Sequence, residues 1–506
     1  MNRAPAIREA PCPCWLWLAA AWALAWLSLF PLATLKEVPG DEGLELAKAV
    51  LWARGSGWPE SWWNDQPLTH TRWYAMLLAW FPGASGPRGW SVLSSAVLLG
   101  SVGHIARVLG GSGTTAALAV AWCAASPQVA ELSVAAMQEI PAAAWGLLSV
   151  ALVTSTSGRP SGWRFGLAVL AGAGATCIKL TAGLYAGAAF TTLWVTPTMP
   201  GAAREGSRRL AWRYALLYLV SFCFLFRMVE PRPFADLLAP HLAVLPEAIQ
   251  APPAHGHTPV SLVLRYAPGF AAAAAVGLVG MLVGVRGTRR WDARWLVLPA
   301  WAGAFNAVIH PWWTYYSLSL WVALAPLAAR GCEVLCGAVV RGFGGGLTGA
   351  RWWAVAGLAA GVLADAGRMA HSAWAGMRHL AYGLRTEASP VQRAIRASVP
   401  PGPGATLFTT HPSEAFWSGL KVPGELLVVT TKRFLAGDLD APTVVSRVRA
   451  GGPDVLVLGL GESAARHGLW PPLLADDYVL TEIAEGREVY VHRRHQPRPY
   501  EARLRW

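Results

Sequence analysis

Residues 15–35, WLWLAAAWALAWLSLFPLATL, with KEVPGDE following at 36–42, decide the fold. The first run holds no charged side chain over about 20 residues, the length an α-helix needs to cross a hydrocarbon core of about 30 Å. It is long for a secretory signal, and its small-residue triplet Ala23-Leu24-Ala25 lies inside the apolar run rather than after it. A retained signal-anchor is therefore expected, delivering the acid pair Asp41-Glu42 to the far side of a membrane.

Similar apolar stretches recur at 89–109, 113–130, 132–155, 165–178, 180–200, 210–226, 260–285, 295–309, 312–329 and 352–370. Together with the first they predict roughly eleven spans. Composition agrees: 54% of the 506 residues are hydrophobic and 14% charged, against about 25% charged in an ordinary soluble domain. The expected fold is mainly α, a polytopic membrane protein with a small C-terminal α/β domain. The net charge of +13 invites a nucleic-acid reading, but its distribution argues against one. With a cytoplasmic N-terminus, Arg107, Arg164, Arg209, Arg294, Arg330 and others fall on the cytoplasmic side, joined by few acids. That is the positive-inside bias, so basicity reports topology and no nucleic-acid partner is expected. Seven cysteines lie in or beside apolar segments without metal-ligand spacing and are read as buried free thiols.

Two non-spanning segments, 36–88 and 227–259, interrupt the helices of a membrane domain read as 1–384. Both fall on the extracytoplasmic side, as does a separate unit at 385–506 introduced by the Pro/Gly cluster Val399–Gly404. Short apolar runs at Ala405–Thr410, Glu425–Thr430, Asp454–Leu458 and Glu488–His492 predict its strands. Pro412–Gly419, Ala441–Ala450 and Glu462–His467 predict its helices. Gly459-x-Gly461 lacks the third glycine and downstream acid of a nucleotide-binding turn and is read as structural.

Carboxylates at a membrane boundary are costly, and each needs a reason. Residues 41–54, DEGLELAKAVLWAR, predict an amphipathic helix with Leu44, Ala47, Leu51 and Trp52 near one face. Asp41 at its N-cap and Glu42 in its first turn can serve the helix, the chemistry, or both. Asp65, Gln66 and His70 form a second polar cluster after Trp62-Trp63, just before a short helix at 73–82. Glu139, at the outer end of a span beginning near Leu132, has no basic neighbour in sequence, and Pro141 beside it is expected to weaken a backbone bond. Lys179 stands at an outer helix junction, where it can snorkel or hold an anionic headgroup. His310, Tyr315 and Tyr316 belong to an aromatic segment at another outer end.

The order of these elements resembles the GT-C class of membrane glycosyltransferases, in particular bacterial relatives of protein O-mannosyltransferase and of the lipid A aminoarabinose transferase. Asp41-Glu42 matches the acid pair of that class in the first outer loop. Asp65-Gln66-Pro67-Leu68 matches its Asp-His/Gln-Pro-Pro-Leu element, with Leu68 in place of the second proline. Ser126-Pro127, Glu139-Ile140-Pro141, Lys179-Leu180-Thr181 and Tyr315-Tyr316 follow in the class's order; relatives commonly carry Asp where Glu139 stands. The resemblance covers roughly residues 14–330 well and the soluble domain loosely.

It implies a plasma-membrane enzyme of the bacterial cell envelope. The enzyme would move a sugar from a polyprenyl-phosphate donor to a lipid, glycan or protein acceptor outside the cytoplasm. Asp41 is the implied base, Glu42 its helper, and Asp65, Gln66, His70, Glu139, Lys179, His310, Tyr315 and Tyr316 the implied substrate-binding residues. Lys179, Arg72 or Arg232 would supply charge to the leaving phosphate. Members of the class differ in using a divalent metal such as Mg or Mn, and no dedicated ligand set is present here. Two other readings compete: a transporter or flippase for lipid-linked saccharides, against which stands the lack of an internal repeat, and a non-enzymatic membrane assembly or sensor protein.

Overall fold

The computed structural model describes residues 40–54, 64–81, 83–109, 111–154, 160–195, 202–250, 258–282, 292–308, 314–343, 349–382, 389–399, 404–423, 426–429, 433–434, 437–459 and 476–495. The opening span at 15–35, Trp62-Trp63, His310, the domain boundary near 385 and the helix expected at Glu462–His467 lie outside them.

Fifteen described helices precede the C-terminal unit. They are α1 (Gly40–Ala53), α2 (Thr69–Trp80), α3 (Ser85–Val108), α4 (Gly113–Ala125), α5 (Pro127–Ser133), α6 (Glu139–Val153), α7 (Gly162–Ile178) and α8 (Gly183–Trp194), then α9 (Ala202–Val229), α10 (Phe234–Gln250), α11 (Pro259–Tyr266), α12 (Pro268–Leu282), α13 (Val297–Val308), α14 (Leu318–Phe343) and α15 (Ala350–Tyr382). Each apolar stretch from 89–109 onward contains a helix, but many are shorter than expected. Three are long and apolar enough to cross a membrane, Ser85–Val108, Glu205–Val229 and Tyr315–Val340; the pair α11–α12, bent by 104°, would make a fourth. The count of about eleven is therefore not reached among the described residues. Punctuation explains the shortfall. Ser126 ends α4, its hydroxyl accepts from the Val129 N–H, and Pro127 opens α5. Extended Lys179 likewise separates α7 from the 3-10 turn Leu180–Ala182.

The bundle core centres on a chain of rings, Trp122, Phe270 and Trp321, with centroids 5.3 and 5.0 Å apart in turn. α12 and α14 close on each other where Gly331 faces Ala273 and Gly277 faces Leu327; a Cβ at either glycine would overlap the opposing backbone. Small residues at such a contact are how apolar helices pack without a hydrophobic drive. α9 turns Trp212, Leu216, Leu219, Val220, Phe224 and Met228 outward. So large an apolar face suits lipid and not water. Cys123 and Cys177 are buried as expected, whereas Cys223 on α9 and Cys336 on α14 are exposed, a departure with the same lipid-facing cause.

α3 separates the polar groups into two sets. Its 24 residues span about 36 Å. Arg88 in its first turn pairs with Glu42. Beyond its last turn, the Leu109 carbonyl accepts from Trp295 Nε1 at 2.9 Å. Thr115 Oγ1 donates to Glu333 at 2.7 Å, and Arg330 pairs with the same carboxylate. Arg107, Arg294 and Arg330 thus gather at the end of the bundle remote from the acid pair.

The C-terminal unit adds α16 (Pro390–Ser398), β1 (Leu407–Thr409), α17 (Pro412–Ser418), α18 (Ala441–Gly451), β2 (Val455–Gly459), β3 (Tyr478–Ala484) and β4 (Arg487–His492). The sheet order is β1-β2-β4-β3. β1 runs parallel to β2 with Leu407 opposite Val455, and the other two pairings are antiparallel. Alternation loads both faces. Leu407, Val455, Val457, Val489 and Val491 pack with Val391 and Ile395 of α16, and Phe408, Leu456 and Leu458 with Val444 and Val448 of α18. β3 was not expected, and no strand forms at residues 426–429 of the run Glu425–Thr430. There Leu426 packs on one face of the sheet and Leu427 and Val428 on the other, following the proline turn at Pro423.

Candidate functional site

α1 carries three kinds of side chain on three faces. Leu44, Ala47 and Leu51 enter the core of the C-terminal unit. Leu46 and Ala49 pack against Tyr74 and Ala75 of α2, where Trp52 joins them rather than the Leu44 stripe. The third face presents Asp41, Glu45 and Lys48, spaced i, i+4 and i+7. The helix begins at Gly40, so Asp41 lies inside its first turn with Glu42 and not at the cap.

The two acids diverge. Glu42 is fully buried. Its carboxylate takes Arg88 Nε at 2.7 Å and Nη2 at 3.1 Å, and the Ala136 N–H at 2.6 Å. Asp41 is exposed, yet enough protein surrounds its carboxyl to raise the pKa, burial first and then repulsion from Glu139 and Glu45, with Lys179 and Lys48 pulling back. Glu45 is held below its ordinary value: burial works against ionisation, but Lys48, His70 and Gln138 outweigh it. Lys48 Nζ donates to Glu45 at 2.7 Å and to Asn64 Oδ1 at 3.3 Å.

Asn64 opens the second cluster, which a ring of partners holds in place. Asn64 Nδ2 donates to the Gln66 carbonyl at 2.8 Å. His241 on α10 donates from Nε2 to the Asp65 carbonyl at 2.9 Å, 3.8 Å from that residue's own Oδ2. Buried Glu230 accepts from the Leu68 N–H at 3.2 Å and from Arg232 Nε at 2.8 Å, while Arg232 Nη1 reaches the Asn64 carbonyl at 2.9 Å. Arg72 lies over the Trp52 ring, 4.8 Å from its centroid. Helix α2 starts at Thr69, four residues earlier than expected, so His70 sits in its first turn. Burial lowers the pKa of His70 to about 3, and the imidazole is neutral.

Gln66 Oε1 then accepts from the Leu180 N–H at 3.2 Å, joining the cluster to the Lys179 junction. Lys179 forms a buried ion pair with Glu139. Its Nζ stands 5.0 Å from the centroid of the Tyr315 ring and 5.8 Å from that of Tyr316, a cation–π arrangement. Glu139 opens α6 itself, rather than continuing a span from Leu132, and Pro141 is the third residue of that helix. First-turn N–H groups have no partner within the helix, so the proline costs no bond there. The basic neighbour that Glu139 lacks in sequence is supplied 40 residues on.

The structure thus brings Asp41, Asp65, Gln66, His70, Glu139, Lys179, Tyr315 and Tyr316 to one end of the bundle and turns Glu42 into its wall. Sequence reading missed Glu45, Lys48, Arg88, Glu230 and His241. The spacing of Asp41, Glu45 and Lys48 was a usable signal; for Arg88, Glu230 and His241 only the fold supplies the connection. Among the described residues no group of three or more His, Cys, Asp or Glu side chains is arranged to hold a metal ion.

No family model and no curated protein matches the chain by sequence. Solved structures do match by fold. ArnT from Cupriavidus metallidurans aligns in its apo state with TM-score 0.55 and bound to undecaprenyl phosphate with 0.57, both at 15% identity over 94% of this chain and 97% of that one. The archaeal oligosaccharyltransferase AglB from Archaeoglobus fulgidus, in complex with an inhibitory peptide and a dolichol-phosphate, aligns with TM-score 0.53 at 12% identity over 96% of this chain and 75% of its own. Both proteins are GT-C membrane glycosyltransferases. The chain therefore has the fold that its motif order implied.

Proposed function

We propose that this chain is an integral membrane glycosyltransferase that moves a sugar from a polyprenyl-phosphate donor to an acceptor hydroxyl on the extracytoplasmic face of a bacterial plasma membrane. The observation that carries the reading is Asp41, an exposed carboxylate of raised pKa beside the Glu139–Lys179 pair, in a fold shared with proteins solved with undecaprenyl phosphate and dolichol-phosphate.

An acceptor hydroxyl is a weak nucleophile, and a positioned carboxylate that takes its proton during attack accelerates the step. Asp41 is that base. The acceptor oxygen bonds to the anomeric carbon as the bond from that carbon to the phosphate oxygen breaks, and the proton passes to Asp41. One displacement inverts the anomeric centre. The departing phosphate needs compensating charge rather than a proton, and Lys179 provides it. Glu42 holds the first turn of α1 through Arg88 and Ala136, fixing where Asp41 stands. Asp65 and Gln66 order the approach beside Lys179, and Tyr315 and Tyr316 offer ring faces to lipid and sugar.

Membranes containing Asp41→Asn, supplied with undecaprenyl-phosphate-linked sugars, test the assignment. Expected is loss of transfer at normal expression; unchanged transfer would overturn the base.

A further inference from the structure

Within the site, besides Glu45 Oε2, Thr69 Oγ1 and Arg72 Nε, three side chains keep a polar atom without a hydrogen-bond partner: His70 Nε2, Gln138 Oε1 and Glu139 Oε2. Their residues are only 2%, 6% and 8% exposed. A buried polar atom left unmet costs about 1–3 kcal/mol, and native folds carry few. Three on neighbouring elements is a concentration that a purely structural role does not explain.

Their chemistry selects a ligand. Gln138 gives its amide N–H to Glu45, which leaves the amide oxygen as the free atom. Glu139 takes Lys179 on Oε1, so Oε2 remains as a second acceptor. Neutral His70 adds no cation. The Gln138 and Glu139 oxygens can only accept, so a group that satisfies them must bring O–H or N–H donors, while His70 Nε2 donates or accepts according to its tautomer. An ionised phosphate oxygen brings none, and the Glu139 carboxylate repels it. A face of ring hydroxyls brings several.

We propose that His70, Gln138 and Glu139 form the subsite that reads the hydroxyls of the donor sugar, beside the Lys179 ammonium that meets its phosphate. The proposal rests on the transferase reading above. It favours the donor over an acceptor glycan because a single oxygen joins the donor's sugar to its phosphate. Hydroxyl-reading groups gathered at Glu139, which is paired to the phosphate's cation, therefore lie where that ring must fall. Gln138 becomes a specificity-determining residue, and the site discriminates sugars by the hydroxyls it can count.

Binding to the purified full-length protein tests this without turnover. Undecaprenyl phosphate alone is compared with undecaprenyl phosphate carrying glucose, galactose, mannose or arabinose, for wild type, Gln138→Leu, Gln138→Glu and His70→Phe. Expected is a wild-type preference for at least one sugar-bearing lipid over the bare one. Gln138→Leu and His70→Phe each reduce that preference by roughly 5- to 100-fold while holding bare undecaprenyl phosphate within about twofold. Gln138→Glu, which keeps an acceptor oxygen, retains it. A wild type without preference, or variants that weaken bare and sugar-bearing lipid equally, overturns the proposal. Failure of the transferase reading shows separately, as transfer that survives Asp41→Asn.

Discussion

Gly43 stands against the backbone of Ser413 so closely that a Cβ at position 43 would overlap the Ser413 nitrogen and Cα. The helix that carries Asp41 is therefore seated on the C-terminal unit, not only on the helical bundle. Arg54 Nη1 reinforces the seat by donating to the Gly419 carbonyl at 2.7 Å. Gly43→Ala must push α1 from α17, and overpacking of this kind costs about 1–3 kcal/mol. A lower melting temperature and a reduced rate of transfer are expected together, read by thermal unfolding in detergent and by transfer assays. Wild-type values for both would show that the seat is slack.

The Glu42–Arg88 pair makes a different demand. Both groups are buried, and removing one leaves an uncompensated charge at a cost of about 3–5 kcal/mol. Glu42→Leu and Arg88→Leu are each expected to destabilise severely, and the double variant less than the sum of the two. A thermodynamic cycle on melting curves measures the coupling. Simple additivity would show that the two side chains do not depend on each other.

Asp41 sets a pH dependence of definite sign. Its folded pKa lies above the ordinary 3.8 because of burial, then Glu139 and Glu45. The base form is lost as pH falls through that raised value, so transfer declines on the acid side. Glu139→Gln removes a repelling charge and shifts this limb to lower pH; Lys48→Met removes an attracting one and shifts it up. Limbs that move the opposite way would exclude Asp41 as the titrating base.

The same raised value acts on stability. The folded state holds the Asp41 proton more tightly than the unfolded chain. Its contribution is present below the unfolded pKa and is lost as pH rises through the folded value. Asp41→Asn should therefore melt higher than wild type at pH 7 and match it near pH 3. A variant that melts lower at neutral pH would mark the carboxylate as support for the helix.

Asp365 holds the bend between α11 and α12. Its Oδ2 accepts from the Gly269 and Phe270 N–H groups at 2.8 and 3.2 Å, and Arg368 pairs with Oδ1. Asp365→Ala strips the cap from α12, a loss of about 0.5–2 kcal/mol. Asp365→Asn, which keeps an acceptor, should recover part of it. Equal melting curves for both variants would remove the cap from the account.

How far the sequence carries can be followed on α1. Its periodicity identified a helix and placed Leu44, Ala47 and Leu51 on one face. Periodicity names a buried stripe without naming what buries it, and the partner is a domain hundreds of residues away. The acid pair was visible as composition, but the divergence of Asp41 from Glu42 depends on Arg88, which local spacing does not connect to it. β3 escaped notice for a related reason: YVLTEIA at 478–484 is a largely exposed strand and lacks the apolar run by which its neighbours were found. The Gln66–Leu180 and Glu139–Lys179 contacts follow from helix breaks whose positions Pro and Ser announce but whose angles they do not.

The seating of α1 also bears on biogenesis. Arg54 and Gly419 are 365 residues apart, which at ribosomal speeds of about 5–20 residues per second separates their synthesis by roughly 20–70 s. Until that interval closes, the stripe of Leu44, Ala47 and Leu51 lacks the surface that buries it. The helix that carries Asp41 thus gains its full packing only after the C-terminal unit has been made.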